Sequence, residues 1–314
     1  MENFMKKNNL IKGMILCLLT VISWGVMFPI ATVILKTMDP FYFTAIRYGV
    51  ADIIFLIILY GLEGRKSFQL EGKGLKLFIF GTLGFAGYSF LTFGGQKIIG
   101  TSGAVQASIM MALMPLLTII VNTFIKKTKP QMFTLIIMCF ALTGVLLVIT
   151  KGDINNLLAV RTNLIGDTLI FIGTICWVFY TIGGTTTFNS WSPIRYTSLS
   201  CTMGVISIVA LTLIGTQAKL IAPPLLNITL LNFWRLAYVT FIAGVMAVVC
   251  WNYGNKILTP INGSLFMNIV PVTTFVVSIM QGTHFKTVEL IGALITICSL
   301  VANNVYIRSM KKTD

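Results

Sequence analysis

Charge is scarce in this sequence. Only 10% of its 314 residues are charged, against about 25% in an ordinary soluble domain, and acidic residues number just 9. Histidine occurs once, at His284, which excludes a zinc site built from a histidine cluster. The six cysteines (Cys17, Cys139, Cys176, Cys201, Cys250 and Cys298) each sit inside an apolar run and none forms a C-x-x-C pair. They read as small buried hydrophobes, and neither a metal nor a cofactor is expected. Isolated acids and a lone histidine offer no paired carboxylates and no nucleophile with its base, which argues against an enzyme. The chain also has no G-x-x-x-x-G-K-[ST] loop, which argues against a self-contained ATP-driven pump.

What the sequence has is hydrophobic length: 56% of its residues are apolar. The apolar residues gather in ten runs, at 13–35, 41–62, 77–98, 102–125, 131–150, 164–187, 194–214, 232–255, 262–281 and 288–308. Each is close to the ~20 residues that a helix needs to cross a bilayer core. The first run is too long for the core of a secretory signal and reads as a retained helix. The expected fold is therefore an all-α integral membrane protein, multi-pass, with the lipid bilayer as its main surroundings. The net charge of +14 could suggest nucleic acid, but the basic residues change in density from loop to loop, as orientation signals do. With an inner N-terminus, fifteen Lys and Arg residues fall on inner segments and six on outer ones. That bias predicts a plasma-membrane protein with both termini cytoplasmic and no nucleic-acid partner.

A repeat organises these runs. Gly13, Trp24 and Pro40 recur as Gly166, Trp177 and Pro193, all at an offset of 153 residues. Five spans separate the copies, an odd number, so the halves insert with opposite orientation: ten transmembrane helices as two inverted five-helix repeats, residues 1–150 and 164–308. Such inverted pairs mark many secondary carriers. Weaker matches, shifted by a few residues, link Phe93-Gly94-Gly95-Gln96-Lys97-Ile98 to Asn252-Tyr253-Gly254-Asn255-Lys256-Ile257, and Pro115 to Pro271.

With Ser23-Trp24-Gly25 in span 1, Pro40 and Arg47 in span 2, and Pro115 and Pro271 in spans 4 and 9, the chain resembles the EamA-type carriers of the drug/metabolite transporter superfamily over nearly its whole length. The resemblance implies a ten-helix secondary carrier that moves amino acids, amines, nucleobases or other metabolites through a central cavity. Two departures stand out. The Gly-Glu pair that often follows the fourth span of each half is missing, since the stretches read Phe124-Ile125-Lys126-Lys127 and Gln281-Gly282-Thr283-His284. Ser200 stands where the second half would repeat Arg47.

Several residues are candidates for the transport path. Trp24, Tyr88, Trp177, Tyr180 and Trp251 lie deep in their spans, where interface belts do not explain them, and a buried indole N–H needs a partner. They are expected to line a cavity, with a core or lipid-facing role as the competing reading. Such walls would suit an organic cation or a stacked aromatic solute. Gln106 and Asn268 add amides at depth, for substrate or for helix–helix hydrogen bonds. Pro29, Pro115 and Pro271 free the carbonyls of Gly25, Met111 and Met267 and are candidate hinges or ordinary kinks. Asp52 is the deepest acid, with Tyr48 its best-placed neighbour, and is a candidate proton or cation site. Arg47 is read as an intramembrane charge or as a side chain snorkelling to the outer surface. Asp167 and Glu289, near span ends, call for no special reading. Gly81, Gly84 and Gly87 leave one strip of span 3 bare for close packing or a substrate slot.

The leading expectation is a secondary transporter of a small metabolite, working by alternating access through an aromatic-lined cavity. Proton coupling, ion coupling, exchange and uniport all remain open. An intramembrane enzyme and a non-transporting receptor or assembly protein are the alternatives.

Overall fold

The computed structural model describes residues 2–126, 132–150, 152–153, 161–223 and 229–310. Among these it is helical, with no strand. The basic residues Lys127, Lys129, Lys151, Lys311 and Lys312, which entered the orientation argument, lie outside the described residues.

The chain begins with α1 (Glu2–Ile34) and α2 (Pro40–Glu63). Next come α3 (Gly74–Gly81), a π-helical segment Thr82–Gly87, and α4 (Tyr88–Ile99). A turn at Gly100, φ +76°, reverses the chain into α5 (Gly103–Ala112) and α6 (Met114–Lys126). Then follow α7 (Met132–Thr150), α8 (Arg161–Thr186) and α9 (Pro193–Gln217). A second π-helical segment, Tyr238–Met246, joins α10 (Leu230–Ala237) to α11 (Ala247–Leu258). The chain closes with α12 (Pro260–Ser264), a 3₁₀ turn Leu265–Asn268, α13 (Ile269–Met280) and α14 (Thr287–Met310). Among the described residues seven helical runs are long and apolar enough to cross a membrane, and the shorter apolar helices Met114–Ile125, Cys139–Val148 and Thr287–Ser299 accompany them. The run Gly74–Ala112 is counted once among the seven although it reverses at Gly100.

Each marker of the sequence repeat has a physical reason. Pro40 and Pro193 each open a helix at its first position, where proline's fixed φ helps and its missing N–H is not needed. The residue before each is the N-cap: Asp39 accepts from the Phe41 N–H at 3.0 Å, and Ser192 from the Arg195 N–H at 3.0 Å. Gly13 and Gly166 mark close helix approach. A Cβ on Gly13 would lie 2.9 Å from Ile257 and Leu258, and one on Gly166 would lie 2.9 Å from the Gly95 carbonyl oxygen. Trp24 and Trp177 meet each other in the centre, 5.3 Å between ring centroids.

Packing follows the same pairwise scheme. α1 lies along α11 and α13, as α8 lies along α4 and against α5 and α6. α2 pairs with α9 and α7 with α14. The last pair rests on Gly144 and Gly292, where a Cβ on either would come within 2.7 Å of the other's carbonyl oxygen. Such small-residue contacts hold membrane helices together, because no hydrophobic force separates them from lipid.

The prolines act as the backbone argument requires. Pro115 sits in the first turn of α6, after a break at Leu113, and Pro271 in the first turn of α13, after the 3₁₀ turn. The carbonyl freed by Pro29, that of Gly25, accepts from the Thr274 hydroxyl of α13 at 2.9 Å. Of the non-glycine residues with positive φ, Glu71, Lys219 and Thr259, only Thr259 is β-branched among the described residues: it ends α11 with φ +75° and ψ 153°, where the corresponding end of α4 has Gly100. A β-branched residue held there costs about 1–3 kcal/mol. Thr259→Gly is expected to raise the melting temperature of the purified protein by a few degrees; an unchanged or lower value would show that the strain is absent.

Candidate functional site

The five deep aromatics come together at mid-bundle. Trp24 touches Trp177 edge to face and Trp251 at 5.4 Å. Trp177 also meets Tyr88 at 5.1 Å and Tyr180 at 4.9 Å. Phe85 extends the stack to Tyr48, 4.9 Å away. Edge-to-face ring pairs add about 0.5–1.5 kcal/mol each beyond the area they bury. Two tryptophan N–H groups are spent on neighbours: Trp24 donates to the Ala243 carbonyl at 3.0 Å, and Trp251 to the Thr181 hydroxyl at 3.1 Å. Asn252 ties the stack to α9, donating to the Tyr180 hydroxyl at 2.8 Å and to the Thr197 hydroxyl at 2.7 Å. Among the described residues the rings wall no open cavity in this conformation. They form a seal, and the void bounded by Trp24, Met27, Arg47, Tyr48, Tyr88, Met111 and Trp177 has no room for a water molecule.

Clefts open on either side of the seal. One, about 580 Å³, lies at the C-terminal end of α1 and is lined by Pro29, Thr32, Lys36, Thr101, Arg235 and Ser278, among others. The other, about 420 Å³, lies at the end of α8 and is lined by Asn122, Ile182, Thr185, Asn189, Lys256 and Thr259, among others. Gly13, at the far end of α1 from the first cleft, packs on Ile257 and Leu258 next to the second, so the two clefts face opposite ends of the bundle. Each is the size of a small-molecule site.

Of the two readings of Arg47, intramembrane charge and snorkelling side chain, the geometry favours the first. Its side chain is only 1% exposed and does not snorkel. Nε donates to the Val239 carbonyl at 2.9 Å and Nη2 to the Ala243 carbonyl at 3.2 Å, both in the second π-segment. A π-helix shifts its hydrogen bonds by one residue, and Arg47 takes up carbonyls there. The absence of a Cβ on Gly244 leaves space beside the guanidinium, 3.5 Å from Nε. The charge also lies over the Tyr48 ring at 4.7 Å and the Phe93 ring at 5.7 Å.

Asp52 stands apart from the seal, on the seam between α2 and α9. It accepts from the Thr202 hydroxyl at 2.8 Å, a partner the sequence did not suggest in place of Tyr48. Gln106 and Asn268 are buried near the two helix breaks, each with its carbonyl oxygen lacking a partner among the described residues. Pro29 lines the first cleft. Asp167, passed over in the sequence, is 3% exposed and neither of its carboxyl oxygens has a partner among the described residues. The bare strip of span 3 serves packing: Gly81 lies against the Ser200 carbonyl and Gly84 against the Tyr180 ring.

A latch beside the second cleft has no local signal among the residues that form it. Glu71, in the loop after α2, accepts from the Trp191 indole N–H at 2.8 Å and pairs with Arg195 at 2.7 Å. Arg195 stacks over Trp191 at 4.1 Å, and Lys256 donates to the carbonyls of Asn189 and Trp191. The Trp191 N–H first, then Arg195, hold the Glu71 carboxyl below the usual glutamate range. A depressed carboxyl favours the folded state above its unfolded pKa, about 4.3, and that contribution fades as pH falls through the lower folded value. The melting temperature is therefore expected to fall in acid partly through Glu71, and Glu71→Gln to flatten the curve between about pH 5 and pH 3. Identical acid profiles for the two proteins would contradict the latch.

A model of the EamA-like transporter family matches residues 11–150 and 164–305. The chain is 40% identical over 304 residues to the uncharacterized transporter YrdR of Bacillus subtilis (strain 168), covering 97% of this chain and 94% of that one. It is 31% identical to the uncharacterized transporter YyaM of the same organism, covering 91% and 92%. A solved structure titled only "Crystal structure of protein" superposes with a TM-score of 0.68 at 15% identity, covering 97% of this chain and 99% of its own.

Proposed function

The chain belongs to the EamA-like transporter family, and on that premise we propose that it is a secondary carrier. It moves a small metabolite, an amino acid, amine or related solute, across the cell membrane by alternating access. The observation that carries this reading is the sealed aromatic centre between two clefts that face opposite ends of the bundle. A carrier needs one site and two entrances that are not open together. The pairwise packing of α1 with α11 and α8 with α4 supports ten spans in two inverted halves that rock about the tryptophan pair. The helix breaks at Pro115 and Pro271 and the two π-segments are the joints at which such rocking would bend the bundle.

Lys73, Arg195 and Lys256 gather around the latch, which supports placing that end, and both termini, on the cytoplasmic side. If transport is proton-coupled, Asp52 is the proposed site, and Asp52→Asn is expected to abolish accumulation driven by a pH gradient. Accumulation that persists in this variant would remove Asp52 from the coupling path.

The experiment is uptake by purified protein in proteoliposomes across a panel of labelled amino acids, amines and small organic acids. Saturable, protein-dependent uptake of at least one solute is expected. No saturable uptake of any panel member would overturn the carrier reading.

A further inference from the structure

Arg47 poses an electrostatic question that its known contacts do not answer. A guanidinium is always charged, and here it lies fully buried inside a membrane bundle. Charges at such depth are costly and usually functional. Among the described residues no carboxylate lies within ion-pair distance of Arg47. Two carbonyls and two ring faces use part of the guanidinium. Nη1 is buried and has no partner among the described residues.

A second atom shares that condition. Trp177, 1% exposed, lines the same small void as Arg47, and its indole N–H is also buried without a partner. In the lining of this void the two unsatisfied groups are both N–H donors, and one belongs to a permanent cation. Unpaired buried donors cost free energy that an acceptor recovers. The clefts agree in sign. Lys36 and Arg235 line the first and Lys256 the second, and neither is lined by an Asp or Glu. Both approaches to the seal therefore carry positive potential, which concentrates anions.

We propose that the sealed centre is the binding site for a carboxylate, held by Arg47 Nη1 and the Trp177 N–H, with the solute's apolar body against Trp24, Tyr88 and Met111. The proposal rests on the carrier reading and narrows its substrates to organic carboxylates, amino acids included. It also corrects the emphasis that the aromatic residues alone would give: cation–π attraction would favour a cationic solute, but a buried guanidinium on the same wall repels one. Admission of the solute requires the rings to part, so binding belongs to a conformation opened toward one cleft.

The test uses the full chain in proteoliposomes and in detergent. The probes are the common amino acids, benzoate, phenylacetate and indole-3-acetate, each beside its amide, with phenethylamine, tryptamine and inorganic phosphate as further arms. Binding is read from tryptophan fluorescence and transport from counterflow. At least one carboxylate is expected to bind and exchange, while its amide needs at least about tenfold higher concentration. Arg47→Gln is expected to abolish this binding, but it also strips donors from Val239 and Ala243 and could misfold. Trp177→Phe is the cleaner variant, because the lost N–H has no partner to orphan. It is expected to fold normally and to weaken the carboxylate by about tenfold without affecting amide binding. If amines or amides exchange as well as acids, or if Trp177→Phe leaves carboxylate affinity unchanged, the proposal is overturned while the carrier reading stands. Phosphate as the only bound anion also overturns it. If no arm exchanges, the carrier reading falls first and the proposal with it.

Discussion

Trp24→Ala and Trp177→Ala are each expected to cut saturable uptake by at least about tenfold, with Trp24→Phe far milder. Both rings are buried at the seal and meet edge to face. Truncating a packed tryptophan to alanine typically costs about 3–5 kcal/mol, because neighbours close only part of the void. Here the void opens at the one place where the two clefts are kept apart. Either alanine variant should therefore lose tight coupling of uptake to solute exchange as well as rate. Trp24→Phe keeps a ring in the contact, and the Ala243 carbonyl that loses its indole donor still accepts from Arg47. Normal uptake in both alanine variants would show that the tryptophan pair lies off the transport path.

The other large effect concerns two adjacent glycines. Gly95→Ala is expected to destabilise the protein by about 1–3 kcal/mol, and Gly95→Leu to abolish recovery of folded material. A Cβ at Gly95 would stand 2.3 Å from the Gly166 carbonyl oxygen and 2.7 Å from the Ile170 side chain, contacts that only a shift of α4 against α8 could relieve. Gly94, one residue earlier, has nothing within 4 Å of its would-be Cβ. Gly94→Ala should therefore be neutral or stabilise by up to about 1 kcal/mol, since alanine is the better helix former. A Cβ at Gly254 would lie 2.5 Å from the Cys17 sulfur, so Gly254→Ala should destabilise as Gly95→Ala does. Thermal melts of the three alanine variants decide the matter. Equal melting temperatures for Gly94→Ala and Gly95→Ala would contradict the close α4–α8 approach.

Much of this architecture could be read from residues. The markers Gly13, Trp24 and Pro40 with their copies turned out to be a close helix contact, a central ring contact and a capped helix start, three features that a repeat preserves because symmetric packing needs them twice. The prolines were legible too, since a missing N–H inside a helix frees a carbonyl or breaks the helix. Other features left no pattern. The π-segments Thr82–Gly87 and Tyr238–Met246 arise from packing and carry no residue signature. Arg47 was left between an intramembrane and a snorkelling position, because distance along a span says nothing of which face a side chain takes; its partners are carbonyls on a distant helix. Asp167 was dismissed for the same reason, although it is buried. The Glu71–Trp191–Arg195 latch joins loops 120 residues apart, beyond any local periodicity. Asn252 had a usable signal, an amide deep in an apolar span, that went unread.

The central claim is one seal between two entrances on opposite sides of the membrane. Its most direct measurement is labelling with a membrane-impermeant thiol reagent, applied to right-side-out and inverted vesicles carrying either Ser278→Cys or Thr185→Cys, with the parent protein's labelling subtracted. Residue 278 lines the first cleft and residue 185 the second. The account predicts that Ser278→Cys reacts only from the outside and Thr185→Cys only from the inside. Labelling of both from one face, or of either from both faces, would mean that no seal at Trp24 and Trp177 divides the path.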